Sequence, residues 1–320
     1  TATPTVLVKE PTICASESKA VCSEGGQAGE AITCTTVTYD CNGELSGEAF
    51  ETESFKVSVS VVNATETSDS NSGEDSPTLF AGAGVFSSAT TTSTSGTAQI
   101  SLQITSSSSD GGRRRLEGLE VTPSEIEIAP GAIDPTTTSL DCAKATAGSG
   151  TVCSILARDA QNNPTGEADD TAAFEVEIYV PGQASIFAVV SFVETGLFHA
   201  SFTMSKTGNF IVHGTFQSTA LPEVTLNVGA GAIDGDSISI SCPEKITAST
   251  SVDCSLNFVD TLGNPSSTFS SDKQVLVQYE NTASELNELT IEIVAEGTFS
   301  VVFPAGVEAG DISLVVSASE

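Results

Sequence analysis

A recurring unit is the feature that most limits what this chain can fold into. The stretch GAIDPTTTSLDC, which begins at Gly131, returns as GAIDGDSISISC at Gly231. Two cysteines 11 or 12 positions apart mark each copy, and an aspartate follows six residues after the second cysteine. The cysteines are Cys22 and Cys34, Cys142 and Cys153, and Cys242 and Cys254, and the aspartates are Asp40, Asp159 and Asp260. Because self-similarity at a fixed period is the signature of a repeat protein, the sequence predicts three tandem copies of one unit.

Short alternating apolar runs within each copy predict β-strands. The stretches FKVSVSV, FEVEIYV and KQVLVQY place apolar side chains at about every second position, as half-buried strands do. Glycine, proline, asparagine and aspartate separate these runs at turn positions. About seven short strands in each copy, with no convincing amphipathic helix, are typical of a β-sandwich. We therefore expect an all-β protein of three sandwich domains that form an elongated rod.

The order of motifs within a copy is also informative. An apolar strand that ends in aspartate is followed by a G-N-P-like turn and a V-x-V strand. The patterns G-x-F-x-x-x-F and G-x-F/I come next, and an apolar strand leads into PGAID. This order resembles the filamin-type immunoglobulin-like repeat over nearly the whole chain, most clearly in the second and third copies. Together with the repeat, the resemblance implies domains at residues 13–130, 131–230 and 231–320, preceded by an additional strand within residues 1–12.

The eight cysteines are best explained as structural disulfides. None stands in a C-x-x-C pair and the chain has only two histidines, which argues against a zinc site. In a filamin-type sandwich the repeated cysteine pair falls on two neighbouring strands, and Cys14 pairs with Cys41 by elimination. The expected bonds are Cys22–Cys34, Cys142–Cys153, Cys242–Cys254 and Cys14–Cys41. Disulfides depart from the cytoplasmic filamins and predict a secreted, extracellular or cell-surface protein.

The charge excludes several classes of partner. The formal net charge is −31, with 42 acidic residues against 11 lysines and arginines, so binding to nucleic acid or to an anionic membrane is disfavoured. No apolar run is long enough for a membrane span, so membrane insertion is not expected. With 39% hydrophobic residues, the chain also differs from a disordered acidic tail.

No pattern in the sequence predicts an active site, and we expect no enzymatic activity. The chain has no G-x-S-x-G elbow, no H-E-x-x-H motif and no phosphate-binding glycine loop. His199 and His213 lie on predicted strands and are interpreted as ordinary strand residues. We expect no cofactor.

One acidic loop offers an alternative that involves calcium. DSNSGED places Asp69, Asn71 and Asp75 at the start of what resembles a calcium loop, but the twelfth position is Phe80 rather than the glutamate that an EF-hand requires. A solvated insertion is favoured, and calcium remains the alternative.

Two further motifs concern the surface. The NAT sequence at Asn63 is an acceptor motif for N-glycosylation. RRRLE contains Arg113, Arg114 and Arg115, the only basic cluster, in a predicted loop. This loop is a candidate processing site, a candidate docking element for an acidic neighbour, or an exposed loop without a role.

The ends of the sequence suggest a mode of assembly. At an offset of 120, residues 3–11 align with residues 123–131, so that Thr5, Val6, Leu7 and Val8 resemble a closing strand. The third copy is expected to lack its closing strand and to leave a groove beside Ile312, Leu314 and Val316. One molecule would then donate its strand to the next, head to tail. The alternative is that the sequence is cut from a longer array of the same repeats.

Two functions from different classes are compatible with these features. The first is a structural subunit of an extracellular filament, sheath or cell-surface appendage, whose main partner is itself. The second is a cell-surface adhesion or recognition ectodomain that binds a protein or glycan partner.

Overall fold

The computed structural model describes the strands and turns along most of the chain. The described residues are 13–14, 16–47, 55–61, 78–107, 113–116, 120–234, 237–243, 252–268, 274–280, 286–289, 291–303 and 313–319. Apart from one short 3₁₀ helix, Ala168–Ala173, the regular elements among these residues are β-strands. The protein is therefore nearly all β, as the alternation of apolar residues predicts.

The first sandwich is formed by the strands between residues 19 and 129. They are β1 (Lys19–Cys22), β2 (Gly25–Gln27), β3 (Ala31–Val37), β4 (Phe55–Val61), β5 (Leu79–Gly82), β6 (Val85–Thr91), β7 (Gly96–Ser107), β8 (Arg113–Leu116), β9 (Glu120–Thr122) and β10 (Glu125–Ala129). One sheet has the order β5-β6-β3-β1-β9, and the other has the order β2-β10-β7-β4, with β8 also paired to β7. Ile32 of the first sheet and Ile100 of the second belong to one buried cluster, so the two sheets pack face to face.

The second sandwich repeats this arrangement between residues 139 and 229. Its strands are β11 (Ser139–Cys142), β12 (Ala145–Thr146), β13 (Gly150–Leu156), β14 (Phe174–Tyr179), β15 (Ile186–Phe187), β16 (Val189–Glu194), β17 (Leu197–Thr203), β18 (Gly208–Phe216), β19 (Thr219–Ala220) and β20 (Val224–Gly229). The sheets have the orders β11-β13-β17-β16 and β12-β20-β18-β14-β15, with β19 paired to β18. Phe174 and Phe198 meet from the two sheets with ring centroids 4.8 Å apart.

The third sandwich keeps the same strand order over residues 239–319. Its strands are β21 (Ser239–Ser241), β22 (Val252–Asn257), β23 (Gln274–Glu280), β24 (Leu286–Glu288), β25 (Ile291–Ala295), β26 (Thr298–Phe303) and β27 (Ser313–Ser319). The sheets have the orders β21-β22-β26-β25 and β24-β23-β27. These orders match β11-β13-β17-β16 and β15-β14-β18 of the second sandwich.

Alternating burial explains why these segments are strands with a defined inward face. In β10, Ile126 and Ile128 are each 3% exposed, whereas Glu127 between them is exposed. In β17, Phe198, Ala200 and Phe202 are buried in the same alternating way. A shift of register by one residue would reverse this pattern, so burial fixes the register of each pairing.

The chain divides into two compact units. The first unit consists of residues 1–138 and 157–166, and the second consists of residues 139–156 and 167–320. The second unit therefore contains most of the second sandwich together with the third. The domain boundaries at residues 13, 131 and 231, and the elongated rod, stay predictions.

Candidate functional site

The structure joins the eight cysteines in four pairs. Cys22 and Cys34 lie directly opposite each other on β1 and β3, and Cys142 and Cys153 have the same relation on β11 and β13. The remaining bonds are Cys242–Cys254 and Cys14–Cys41. The Cα–Cα distances are 3.9, 4.3, 4.5 and 5.1 Å for Cys22–Cys34, Cys142–Cys153, Cys242–Cys254 and Cys14–Cys41. In each sandwich a disulfide thus joins two neighbouring strands of one sheet, β1 to β3, β11 to β13 and β21 to β22. In the third sandwich the first cysteine, Cys242, directly follows β21.

Removing the bond of the second sandwich should be costly. Replacing Cys142 and Cys153 with alanine is expected to lower the free energy of unfolding of this sandwich by about 3 kcal/mol, because the bond restricts a short loop in the unfolded chain. Urea unfolding followed by peptide-resolved hydrogen exchange measures this effect. Val152→Ala is the control, since Val152 lies on the same strand and is exposed. A double variant as stable as Val152→Ala would contradict the prediction.

Three turns, which we call the linker turns, each begin six residues after the second cysteine of a repeated pair, namely Cys34, Cys153 or Cys254. They are Asp40–Glu44, Asp159–Asn163 and Asp260–Asn264. In the third turn, the carboxylate of Asp260 accepts hydrogen bonds from the backbone N–H of Leu262 and of Asn264, both at 2.9 Å. It also accepts from the backbone N–H of Gly231, at 3.0 Å, in the segment that enters the sandwich. The buried carboxylate therefore fastens the entering chain to the turn.

Asn264 extends this network to the second sandwich. Its side-chain amide donates to Asp260 Oδ2 at 3.0 Å and to the carbonyl oxygen of Ser205 at 3.0 Å. Ser205 lies between β17 and β18, and both residues belong to the second compact unit. Asn264 is 3% exposed, so its hydrogen bonds are protected from water. Asn264 therefore links two successive sandwiches through one side chain.

A second contact between the second and third sandwiches involves Gly148 and Leu262. Gly148 has a positive φ of +83°, and a Cβ at this position would lie 3.2 Å from Leu262 Cδ1. Glycine is therefore favoured at residue 148 both by its backbone conformation and by the close approach of the linker turn.

The turn at Asp159 repeats these hydrogen bonds within the first compact unit. Asp159 accepts from the backbone N–H of Gly131 at 2.7 Å and from Asn163 Nδ2 at 2.9 Å. Asn163 Nδ2 also donates to the carbonyl oxygen of Ser93 at 2.9 Å, and Asn163 Oδ1 accepts from the backbone N–H of Ser95 at 3.0 Å. We call the combination of the aspartate, the glycine N–H and the asparagine amide the Asp–Asn latch.

The electrostatics of Asp260 indicate a structural role. Burial by itself would raise the pKa of this carboxyl, but hydrogen bonds from Asn264, Gly231 and Leu262 lower its pKa below the ordinary 3.8. Both oxygens are occupied by fixed donors, so the group is held as a carboxylate and is not placed to transfer a proton. The sequence located this aspartate, but it assigned no role to the asparagine four residues later. The repeated Asn-Pro in NNP and GNP was the available signal.

The open edge of a sheet is the other candidate site. Strand β27 pairs with β23 from Gln274↔Ser319 to Glu280↔Ser313, and among the described strands it has no partner on its other side. The equivalent strands β7 and β18 are each covered there by a further strand, β10 and β20. Leu314 and Val316 of the predicted groove lie on β27, whereas Ile312 and the predicted assembly strand, Thr5, Val6, Leu7 and Val8, lie outside the described residues.

The arginine cluster requires a correction, because the loop predicted for it is wrong. Arg113, Arg114 and Arg115 lie in strand β8. Strand β7 is 12 residues long, and β10 covers only its first part. Its far end from Ile104 to Ser107 would leave backbone groups unpaired, and β8 pairs with it instead.

The remaining candidates are the glycosylation motif, the acidic calcium loop and a histidine. Asn63 and the calcium candidates Asp69, Asn71 and Asp75 lie outside the described residues. His213 Nδ1 lies 3.0 Å from Glu223 Oε1 on an accessible surface. Among the residues that the structure describes, no three His, Cys, Asp or Glu side chains form a metal-binding group. Within that same part of the chain, no helix has the length and apolar character needed to cross a membrane.

Comparison with known proteins gives the fold a context. No protein-family model and no curated protein matches the sequence. The structure of the Escherichia coli adhesin FdeC has a TM-score of 0.54 and 16% identity, over 97% of this chain and 94% of the other. The bacterial integrin-binding protein invasin has a TM-score of 0.46 and 16% identity, over 95% of this chain and 56% of its own. InvD of Yersinia pseudotuberculosis has a TM-score of 0.41 and 14% identity, over 96% and 86%. The similarity to FdeC shows that this chain has an immunoglobulin-like fold.

Proposed function

We propose that the chain is a structural section of an extracellular filament or surface appendage, built from three filamin-type repeats that join head to tail. The observation that carries this proposal is the edge of β27, which has a partner on one side only among the described strands. An unpaired strand edge accepts an additional strand through main-chain hydrogen bonds. In both other sandwiches a strand fills the equivalent place.

A second copy of this chain is the partner that fits the edge best. Residues 3–9 align with β10, so that Val6 and Val8 correspond to Ile126 and Ile128, which are buried, and Leu7 corresponds to Glu127, which is exposed. Burying two such apolar side chains would stabilise the joint by about 3–6 kcal/mol. Since donor and acceptor surfaces differ, the contact is heterologous and propagates as a filament.

The other features of the chain support a location outside the cell. Four disulfides are stable in an oxidising compartment, and a net charge of −31 keeps a polymer of repeats soluble. Asn63 is then a candidate glycosylation site. We assign the chain no enzymatic activity and no cofactor.

Variants of the donor segment test the proposal. Val8→Asp should abolish filaments in electron micrographs, because it places a charge in the groove, whereas the matched control Leu7→Asp should leave them intact. A free peptide of residues 1–11 should shorten wild-type filaments by capping β27. Wild-type protein that stays monomeric, or Val8→Asp protein that polymerises normally, would overturn the assembly by strand donation.

The second candidate function is adhesion. The similarity to FdeC, which is an adhesin, is the observation that favours it. In this case the protein acts as a surface ectodomain that binds other surface proteins or glycans, and the open edge of β27 is covered within one longer chain. Saturable binding of monomers to cells, together with an absence of filaments, would favour adhesion over polymerisation.

A further inference from the structure

The chain enters the three sandwiches in the same way, which allows the three linker turns to be compared residue by residue. In each sandwich one residue of the segment that leads into the first strand donates its backbone N–H to the carbonyl oxygen of the residue before the turn aspartate. These bonds are Cys14 N to Tyr39 O at 2.8 Å, Asp134 N to Arg158 O at 2.8 Å and Asp234 N to Val259 O at 2.9 Å. Cys14, Asp134 and Asp234 therefore occupy one structural position.

The first sandwich lacks the glycine N–H and the asparagine amide at the two positions that form the Asp–Asn latch, although Asn42 Nδ2, two residues after Asp40, donates to Asp40 Oδ2 at 3.3 Å. The position of Gly131, three residues before Asp134, corresponds to Pro11, which has no backbone N–H to donate. The position of Asn163 corresponds to Glu44, whose ionised side chain only accepts hydrogen bonds.

The turn itself is nevertheless preserved in the first sandwich. Asp40 Oδ1 accepts from the backbone N–H of Glu44 at 2.9 Å and of Asn42 at 2.8 Å, and these bonds, led by that from Glu44, lower the pKa of Asp40 below 3.8. The first sandwich thus keeps the turn and the hydrogen bond from Cys14 N to Tyr39 O, but the two residues that complete the latch elsewhere are replaced by Pro11 and Glu44.

A disulfide joins the same two segments instead. Cys14 is in the entering chain, and Cys41 directly follows the turn aspartate. The equivalent pairs in the other sandwiches are Asp134 with Ala160 and Asp234 with Thr261, which form no such bond. The covalent bond therefore occurs in the one sandwich that lacks the latch donors.

We propose that the Cys14–Cys41 disulfide is a covalent replacement for the Asp–Asn latch. It holds the entering chain against the first linker turn without using a carbonyl oxygen of a preceding sandwich, which Asn163 and Asn264 both require. Glu44, which is exposed, stands at the position from which Asn163 and Asn264 donate to a preceding sandwich, and its ionised side chain has no donor for such a bond. This assignment depends only on the three turns and stands whether or not filaments form.

Removing the disulfide in the full chain is the first test. Cys14→Ala/Cys41→Ala should increase the rate of amide exchange around residues 13–18 and 39–41 by about 100-fold, since the entering chain loses its fixed attachment. Adding Pro11→Gly and Glu44→Asn should restore at least about tenfold of this protection, because both latch donors are then present. Adding Pro11→Gly and Glu44→Asp is the matched control, since aspartate has the shape of asparagine but no donor.

Replacing the latch of the second turn with a disulfide provides an independent test if the first variant does not fold. Asn163→Asp should speed exchange of residues 157–166, and adding Asp134→Cys/Ala160→Cys should form a disulfide and restore the protection. The proposal is supported if Glu44→Asn restores the protection from amide exchange and Glu44→Asp does not. It is also supported if the disulfide introduced into the second turn restores that protection. Equal effects of asparagine and aspartate, or a transplanted disulfide that forms and leaves exchange fast, would overturn it.

Discussion

Replacing Asp260 with alanine should lower the free energy of unfolding of the third sandwich by about 3–5 kcal/mol. The carboxylate is 2% exposed and accepts hydrogen bonds from Gly231, Leu262 and Asn264. Without it, several buried N–H groups have no acceptor, and the asparagine that reaches Ser205 loses its support. The loss is therefore larger than that of a single hydrogen bond.

Peptide-resolved hydrogen exchange in increasing urea measures this effect in the third sandwich. Glu292→Ala is the matched control, since Glu292 is an exposed carboxylate on β25 and should change stability by less than about 0.5 kcal/mol. Equal stabilities of the Asp260→Ala and Glu292→Ala proteins would show that the linker turn is not held by its carboxylate.

The same variant has a defined pH dependence. Because the pKa of Asp260 is lowered from 3.8 in the folded protein, its contribution is fully present above pH 3.8 and is lost as the pH falls through the lower folded value. The difference in stability between wild type and Asp260→Ala should therefore be constant from pH 7 to pH 5 and shrink below pH 3.8. A difference that grows on acidification would mean that the carboxyl is neutral in the folded state.

The sequence predicted those features that depend on local pattern. Alternation in stretches such as FEVEIYV indicated strands with one inward face, and β14 has that burial pattern. The filamin-type resemblance implied that Cys142 and Cys153 lie on neighbouring strands, and in the structure they lie opposite each other on β11 and β13. The two-residue period of the apolar positions is the period with which side chains alternate along a strand, so the inward face can be predicted directly from the sequence.

The sequence did not predict the hydrogen bonds that connect one sandwich to the next. Asn264 and Ser205 are 59 residues apart, and nothing in either neighbourhood signals that an amide meets a carbonyl oxygen. The strand at Arg113–Leu116 was missed for a related reason. Three arginines in a Ser/Gly-rich setting resemble a loop, and only the unusual length of β7 creates an edge for them to pair with.

Replacing Phe198 with alanine should destabilise the second sandwich by about 3–5 kcal/mol, because it leaves a cavity between the two sheets. Phe198 is fully buried, with its ring centroid 4.8 Å from that of Phe174 and 5.4 Å from that of Phe192. Phe187→Ala is the matched control. Phe187 is 59% exposed on the edge strand β15, so its loss should cost less than about 1 kcal/mol.

This variant also tests whether successive sandwiches are coupled. The second sandwich supplies the carbonyl oxygen of Ser205 to Asn264, so its unfolding removes an acceptor from the third linker turn. Amide exchange of residues 260–264 should therefore accelerate in Phe198→Ala protein under conditions that unfold the second sandwich, although the substituted residue lies in another sheet. The same amides should be unaffected in Phe187→Ala protein. If residues 260–264 keep their protection while the second sandwich unfolds, the hydrogen bond from Asn264 does not connect the stability of one sandwich to that of the next.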